Sequence, residues 1–374
     1  MNNLKGTENS HGVWPTVVNA DYSEEKASIS DFRELFLSTP ESIKIFQRWY
    51  SKQNDLDDAG AFLNKLKFFS LSTSTIMALF LFLQYQKEED IPTDIIDIDP
   101  DSSEKIFSES IHLFQRLFKV HRIPFSPKKE LQAELAIRML LTLLADVQLL
   151  TVYLVLQLQK LESMMSLPRE EQEAKAWIAL NIYAPLAGRL GIFWIKSELE
   201  DHAFRNLEYD NYQILKKKIA RKRSERSDSV ERISNNIQKM LNQAGISHEV
   251  QGRYKRFYSI FQKLDRVDND FERIRDLIAF RVLVKNVDDC YAALSFIHEN
   301  WTPAKNRFKD YISNPKPNGY QSLHTTVMGI NDESSNESSP IEIQIRTNEM
   351  HHMAEYGVAA VSYTHLTLPT ICSV

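Results

Sequence analysis

Ile341-Glu342-Ile343-Gln344-Ile345-Arg346-Thr347 decides how the C-terminal half of this chain folds. Apolar and polar residues alternate with the period of a strand that has one face in a core and the other open. The isoleucines share one face, and Glu342, Gln344 and Arg346 share the other. A polar stripe of that kind is either a solvated sheet face or the floor of a site. Leu277-Ile278-Ala279-Phe280-Arg281-Val282-Leu283-Val284 is rich in β-formers and reads as a second strand. Asp276 opens it, at a strand end where a ligand can be held.

Outward from these strands, Ile246 to Gly252 suggests another strand, Tyr254 to Leu264 a helix, and Asp288 to Trp301 a second helix. Tyr320–Ile330 reads as a strand joined to Ile341–Thr347 through the Ser- and Asn-rich Asp332–Pro340 stretch, a hairpin loop. A final helix carries Met350, Met353 and Ala354. The half is therefore α+β, with a small sheet that is mainly antiparallel or mixed.

Residues 30–205 read as helical, with apolar residues at helical spacing in Phe32-Leu35-Phe36, Leu63-Leu66-Phe69 and Ile106-Phe107-Ile111-Phe114. Glu88–Glu104 is acidic, contains two prolines, and reads as a loop. A long helix runs from about Glu171 into Tyr183-Ala184-Pro185-Leu186, where Pro185 should kink or break it. Another follows through Ile195 to Phe204. Leu140–Leu158 is leucine-rich but interrupted by Asp146, Gln148 and Gln157, which predicts a buried helix and not a membrane span. Residues 206–244 form a helical linker, and its basic run Lys216–Arg223 reads as a solvated face.

Composition narrows the function. A chain of 374 residues holds about two domains, and 43% hydrophobic with 25% charged residues describes an ordinary globular protein. A net charge of -5 excludes general affinity for nucleic acid. Cys290 and Cys372 match no metal spacing and suggest a reducing compartment. Met1–Trp14 lacks the apolar core of a signal peptide, so a cytoplasmic location without a membrane partner is expected. Neither GxxxxGK[ST] nor GxGxxG occurs, which excludes P-loop and Rossmann sites. His351-His352 has no HExxH context and makes a poor zinc pair.

The chemistry concentrates around Asp310-Tyr311-Ile312-Ser313-Asn314-Pro315-Lys316-Pro317-Asn318-Gly319-Tyr320-Gln321-Ser322-Leu323-His324. Pro317-Asn318-Gly319 forces a tight turn, and Tyr320 offers a ring beyond it. Arg253, Lys255 and Lys263 precede this run; Arg307, Lys309 and Lys316 lie beside or within it. Such cations suit a polyphosphate, whose transfer depends on positioning and charge neutralisation. Asp276 and Glu342, on neighbouring strands, are a carboxylate pair of the kind that binds Mg2+.

These residues resemble a known family. Gly252-Arg253-Tyr254-Lys255, Arg275-Asp276-Leu277-Ile278-Ala279-Phe280-Arg281, the Tyr311–His324 run, Glu342–Thr347 and Glu355-Tyr356-Gly357-Val358-Ala359-Ala360 look like the synthetase domain of the RelA/SpoT family. Asn181–Gly191 resembles the helical hydrolase-type domain that precedes it. The resemblance implies an all-α HD-type domain at 30–205, after an arm at 1–29. A nucleotidyltransferase-like α+β synthetase domain with a small mixed sheet would follow at 245–360. It implies transfer of pyrophosphate from ATP to the 3′-hydroxyl of GTP or GDP. Asp276 would hold Mg2+, and Glu342 would hold metal or act as general base. Arg253, Lys255 and Lys263 would serve ATP. Tyr320 would stack on guanine, with Arg307, Lys309, Lys316, Asn318, His324 and Gln344 around the acceptor. Ribosome or tRNA association would belong to a full-length form. The rival reading is a catalytically inactive guanine-nucleotide-binding regulatory module.

The sequence departs from the family in three places. Leu81 and Phe82 stand where the hydrolase has a metal-binding His-Asp pair, and Leu156 and Lys160 stand at its later Asp and Asn. Hydrolase activity is therefore expected to be absent. Arg307-Phe308-Lys309-Asp310 resembles the basic loop of bifunctional members, which leaves GDP or GTP preference open. After Ala360, residues 361–374 follow no family pattern and read as an aberrant tail.

Overall fold

The computed structural model describes residues 62–87, 105–125, 130–264, 271, 277–328 and 340–357. Its helices are α1 (Thr73–Tyr85), α2 (Lys105–His121), α3 (Glu130–Leu144), α4 (Val147–Glu162), α5 (Arg169–Ile178), α6 (Ala184–Arg189), α7 (Phe193–Leu207), α8 (Tyr209–Gln243), α9 (Phe257–Leu264), α10 (Val287–Asn300) and α11 (Asn348–Tyr356). Its strands are β1 (His248–Tyr254), β2 (Ile278–Val284), β3 (Thr302–Pro303), β4 (Lys309–Asp310), β5 (Leu323–Met328) and β6 (Ile341–Thr347). The fold is α+β, a helical module followed by a module built on one mixed sheet.

The strand order is β1-β2-β6-β5-β3, with β4 also on β5. β2 and β6 pair in parallel; the other neighbours are antiparallel. β6 spans the residues its alternation predicts. Phe280, Val282, Val284, Ile343, Ile345, Leu323 and Val327 line one face and pack with Ile237 and Leu241 of α8 and Cys290, Ala293 and Ile297 of α10. Apolar residues dominate the alternate positions of this face, as a half-buried sheet requires, and the buried Thr325 among them places its hydroxyl 2.8 Å from His298 Nε2. Asn286 starts α10 by accepting a hydrogen bond from Asp289 N at 2.8 Å, with Asp288 and Asp289 in the positive first turn.

Several boundaries differ from expectation. The Leu140–Leu158 run is two helices and not one: Ala145 has φ 42, and the Asp146 side chain accepts from Leu149 N at 2.7 Å, capping α4. A short acid in an apolar run is worth more as a cap than inside a helix. Pro185 does not break its helix. It sits in the first turn of α6, behind a π-turn (Ala179–Tyr183) closed by Ala184 N donating to Ala179 O. The wider turn absorbs the proline's missing N–H. The expected 254–264 helix begins at Phe257, because Tyr254 ends β1 and Lys255 N donates to Leu277 O at 3.0 Å. β5 begins at Leu323, since Tyr320 belongs to the preceding turn. The two-residue strands β3 and β4 have no periodicity to read.

The expected Phe32-Leu35-Phe36 stripe, the Glu88–Glu104 loop, the 332–339 hairpin loop and the 361–374 tail lie outside the described residues. Among those described, no helix is long and apolar enough to cross a membrane.

α8 serves both modules. Its first half packs Tyr212, Leu215 and Ile219 with Phe204 of α7 and Phe257 and Ile260 of α9, while its second half covers the sheet. Asp201 of α7 accepts from Tyr258 N at 2.9 Å, and Glu198 pairs with Arg256 at 2.7 Å, fixing the start of α9 on the helical module. A second seam lies at the α6–α7 turn. Asn318 Nδ2 donates to Gly188 O at 3.1 Å, Phe68 stacks on Tyr356 with centroids 4.9 Å apart, and Gly191 and Gly357 meet at φ 75 and 65. A Cβ on Gly357 would overlap the Leu190 carbonyl oxygen and force an unfavourable φ. Gly357→Ala is expected to cost about 2–3 kcal/mol of stability, read as a lower urea midpoint. An unchanged midpoint would mean that this backbone contact is not made.

Candidate active site

Strand register assembles the open face of the sheet. Gln251, Arg281, Gln344, His324 and Lys309 lie directly opposite one another across five strands. One step along, Arg253, Ala279, Glu342 and Thr326 form the next row. Ala279 is the small member, so the strands carrying Arg253 and Glu342 face each other across a residue with little bulk.

Glu342 anchors the centre. Its Oε2 accepts from Lys255 Nζ at 2.9 Å, and its Oε1 accepts from Gln344 Nε2 at 3.0 Å. Burial pushes the carboxyl up, but Lys255 and the two hydrogen bonds outweigh it, and the group lies below the ordinary glutamate value. Glu342 is therefore ionised at neutral pH. Asp276 lies outside the described residues, and so does its geometry.

A second group forms around Tyr320. Lys316 O accepts from Gly319 N at 2.8 Å, closing a turn with Pro317 at its second and Gly319 at its fourth position. Asp310 braces the other end: Oδ1 accepts from Ile312 N and Ser313 N, each at 2.9 Å, and Oδ2 from the Tyr291 hydroxyl at 3.0 Å. Lys316 Nζ sits 4.6 Å from the Tyr311 ring centre and 5.0 Å from that of Tyr320. The Tyr320 hydroxyl lies 2.7 Å from His324 Nε2. Burial pushes His324 down to about 4, helped by Lys316, Arg346 and Lys309 and opposed by Glu342. The imidazole is neutral at pH 7, and the hydroxyl and the ring nitrogen share one hydrogen bond whose direction follows the tautomer.

A third group joins Arg253, expected on the donor side, to residues given no site role from the sequence. Arg281, Arg346 and Arg253 converge on Glu355 Oε1, at 2.8, 3.2 and 4.0 Å. His351 Nδ1 lies 2.7 Å from Arg346 Nη2. Burial, with Arg346 and Arg281 adding to it, pushes His351 down to about 3, so it accepts as a neutral ring. A single arginine inside the apolar run Leu277–Val284 was the available signal, since a buried guanidinium needs a carboxylate partner.

The remaining sequence candidates scatter. Lys263 is in the last turn of α9, two turns beyond Lys255. Arg307 is exposed in the turn between β3 and β4. Asn318 spends its side-chain N–H on the helical module.

In that module, Leu81 and Phe82 of α1 and Leu156 of α4 are buried in the apolar core. Lys160 Nζ lies 3.1 Å from His121 Nδ1, and the Phe82 ring meets the His121 ring edge-on with centroids 5.1 Å apart. Burial pushes Lys160 down to about 8 and His121 down to about 4, so the lysine donates to a neutral imidazole. Among the described residues, no group of three or more His, Cys, Asp or Glu is placed to hold a metal ion.

Residues 48–193 match the HD domain, and residues 252–365 match the region found in RelA / SpoT proteins. The class is thus a helical HD module joined to a sheet module of the RelA/SpoT kind. The chain carries these two regions in the order in which the RelA/SpoT resemblance implies them. It is 42% identical over 266 residues to a probable guanosine-3′,5′-bis(diphosphate) 3′-pyrophosphohydrolase of Synechocystis sp., covering 71% of this chain and 34% of that one. It is 38% identical over 270 residues to a GTP pyrophosphokinase of Myxococcus xanthus, covering 71% and 35%. It is 36% identical over 291 residues to the bifunctional (p)ppGpp synthase/hydrolase SpoT of Escherichia coli, covering 78% and 40%. The chain spans roughly a third to two fifths of the length of these curated relatives.

The neutral His324 gives a direct check on this geometry. A histidine held neutral by burial contributes stability that is complete above the unfolded value of 6.5 and is lost as pH falls from there through its folded value. An NMR titration is expected to place the His324 midpoint near 4, below the ordinary 6.5. A midpoint near 6.5 would mean that the Tyr320–His324 pair is open to water.

Proposed function

We propose that this chain transfers the pyrophosphoryl group of ATP to the 3′-hydroxyl of GTP or GDP. The observation that carries the reading is the ionised Glu342, tied to Lys255, on the sheet face that also holds the arginine cluster and the Tyr320 group, whose ring centre lies 6.0 Å from the Arg346 guanidinium. The arginines and Lys255 suit a polyphosphate donor, and a tyrosine ring bounded by Lys316 suits a purine acceptor. Relatives named GTP pyrophosphokinase and (p)ppGpp synthase/hydrolase support the same reaction.

In this reading the acceptor's 3′-oxygen attacks the β-phosphorus of ATP. The bond from that phosphorus to the α-phosphate's bridging oxygen breaks, AMP leaves, and the hydroxyl proton passes to solvent or a base. Arg253, Lys255 and Lys263 serve the donor; Lys309, Lys316, Asn318, Tyr320, His324 and Gln344 serve the acceptor, with Arg307 at its exposed rim. Asn318 gives one of its two amide N–H groups to Gly188 O, and the other serves the nucleotide. Glu342, with Asp276, would hold Mg2+, which neutralises phosphate charge when bound. An ionised carboxylate with a lowered pKa fits that role. It is a weak proton acceptor, so the cation-binding role suits Glu342 better than general base.

Purified chain with Mg2+, ATP and GTP or GDP is expected to yield AMP together with a 3′-pyrophosphorylated guanosine. Asp276→Asn and Glu342→Gln should each lower kcat by about 10²-fold or more. Full turnover in either variant would remove that residue's role. Guanine nucleotide bound without any product would support the non-catalytic module instead.

We also propose that the helical module does not hydrolyse the 3′-pyrophosphate. Leu81, Phe82 and Leu156 offer no metal-binding atom, and Lys160 brings positive charge where a cation would sit. Incubation of ppGpp with the chain and Mn2+ should leave it intact. Release of pyrophosphate above the protein-free rate would contradict this.

A further inference from the structure

Glu355 gathers more charge than any other side chain described. One of its oxygens lies within 4.0 Å of three guanidiniums, those of Arg281, Arg346 and Arg253. Arg346 and Arg281 cannot move away from each other, since their side chains are only 2% and 4% exposed. Each has a buried Nε without a hydrogen-bond partner among the described residues. Arg253, 39% exposed, is the member free to swing into solvent. Two fixed buried cations would drive it there unless an anion screens them.

We propose that Glu355 is a positioning residue for the donor nucleotide. By neutralising the buried Arg281–Arg346 pair, it lets Arg253 stand beside them on the face that carries Lys255 and Glu342. This rests on the assignment of Arg253 to ATP made above. The balance, three guanidiniums less one carboxylate, leaves two positive charges for a polyphosphate. His351 adds none, being neutral.

The carboxylate is itself held firmly. Thr347 caps α11 by accepting from Met350 N at 3.1 Å, and Tyr356, the next residue after Glu355, stacks on Phe68 of the helical module. A contact between modules therefore sets where the donor arginine sits. A merely structural ion pair would lower stability on removal and leave substrate discrimination alone. A positioning residue changes ATP binding and not acceptor binding.

The test is a cycle of Glu355→Gln, Arg253→Gln and the double variant, read by calorimetric titration with Mg-ATP and by KM for each substrate. Glu355→Gln is expected to weaken ATP binding about tenfold, with the acceptor KM within about twofold of wild type. The double variant should bind ATP as Arg253→Gln does, because Glu355 acts through Arg253. Glu355→Asp keeps a carboxylate beside the buried Arg281–Arg346 pair but shortens its reach to Arg253, so it reads the same selective loss of ATP binding, smaller in size, if Glu355→Gln does not fold. Unchanged or tighter ATP binding in Glu355→Gln would overturn the proposal. So would equal shifts for both substrates, or a double variant clearly weaker than Arg253→Gln. Wild-type protein that binds ATP but forms no 3′-pyrophosphate would sink the synthetase reading, while the calorimetry still decides this one. Wild type that binds no ATP overturns both.

Discussion

Ala279 lies opposite Glu342 because β2 and β6 pair in parallel with a fixed register, and the rest of the site inherits its geometry from that pairing. Side chains alternate faces along a strand, so a slip of one residue would move Glu342, Gln344 and Arg346 into the apolar layer under α8 and α10. The isoleucines of β6 and the Phe280, Val282 and Val284 set of β2 hold the register against that slip. What is left on the other face is a field of charges that no core side chain can dilute. Their partners are therefore specific: Lys255 for Glu342, and Glu355 for the arginines.

Buried charge makes this face costly to form and sharply defined once formed. Arg281 and Arg346 are almost fully withdrawn from water, a state that persists only with a charged partner in good geometry. That partner comes from α11, whose end is packed on the helical module through Tyr356. The Tyr320 loop is tied to the same module, by Asn318 to Gly188 O and by the Phe193 ring meeting Tyr320 edge-on at 5.7 Å. The helical module thus touches both halves of the proposed nucleotide site. Its own interior holds Leu81, Phe82 and Leu156 in the core.

Much of this was legible in the sequence. β6 and β2 followed from period-two alternation and β-branched composition, and α10 from its helical spacing, because each of those patterns reports which face is buried. The Pro317–Gly319 turn followed from residues with restricted backbones. The readings that failed were those where a local rule met a tertiary partner. Asp146 became a cap inside a leucine run, and Tyr254 joined β1 instead of opening a helix. The cluster on Glu355 was illegible for another reason. Its four charged members come from β1, β2, β6 and α11, and nothing in their spacing announces that they meet. Lys309 and His324, by contrast, were brought together by a strand pair too short to show a period.

The central claim is that the charged face of the sheet is one nucleotide-transfer surface, on which the donor's arginines and the acceptor's Tyr320 adjoin and Glu342 serves both. The most direct measurement is a crystal structure of this chain with Mg2+, a non-hydrolysable ATP analogue and GDP. The account predicts the analogue's phosphates between Lys255 and the Arg253 group, and the guanine base against Tyr320, with the 3′-hydroxyl turned toward the β-phosphate near Glu342. Nucleotide bound only in the helical module, or guanine away from Tyr320 with Lys255 still closed on Glu342, would contradict it.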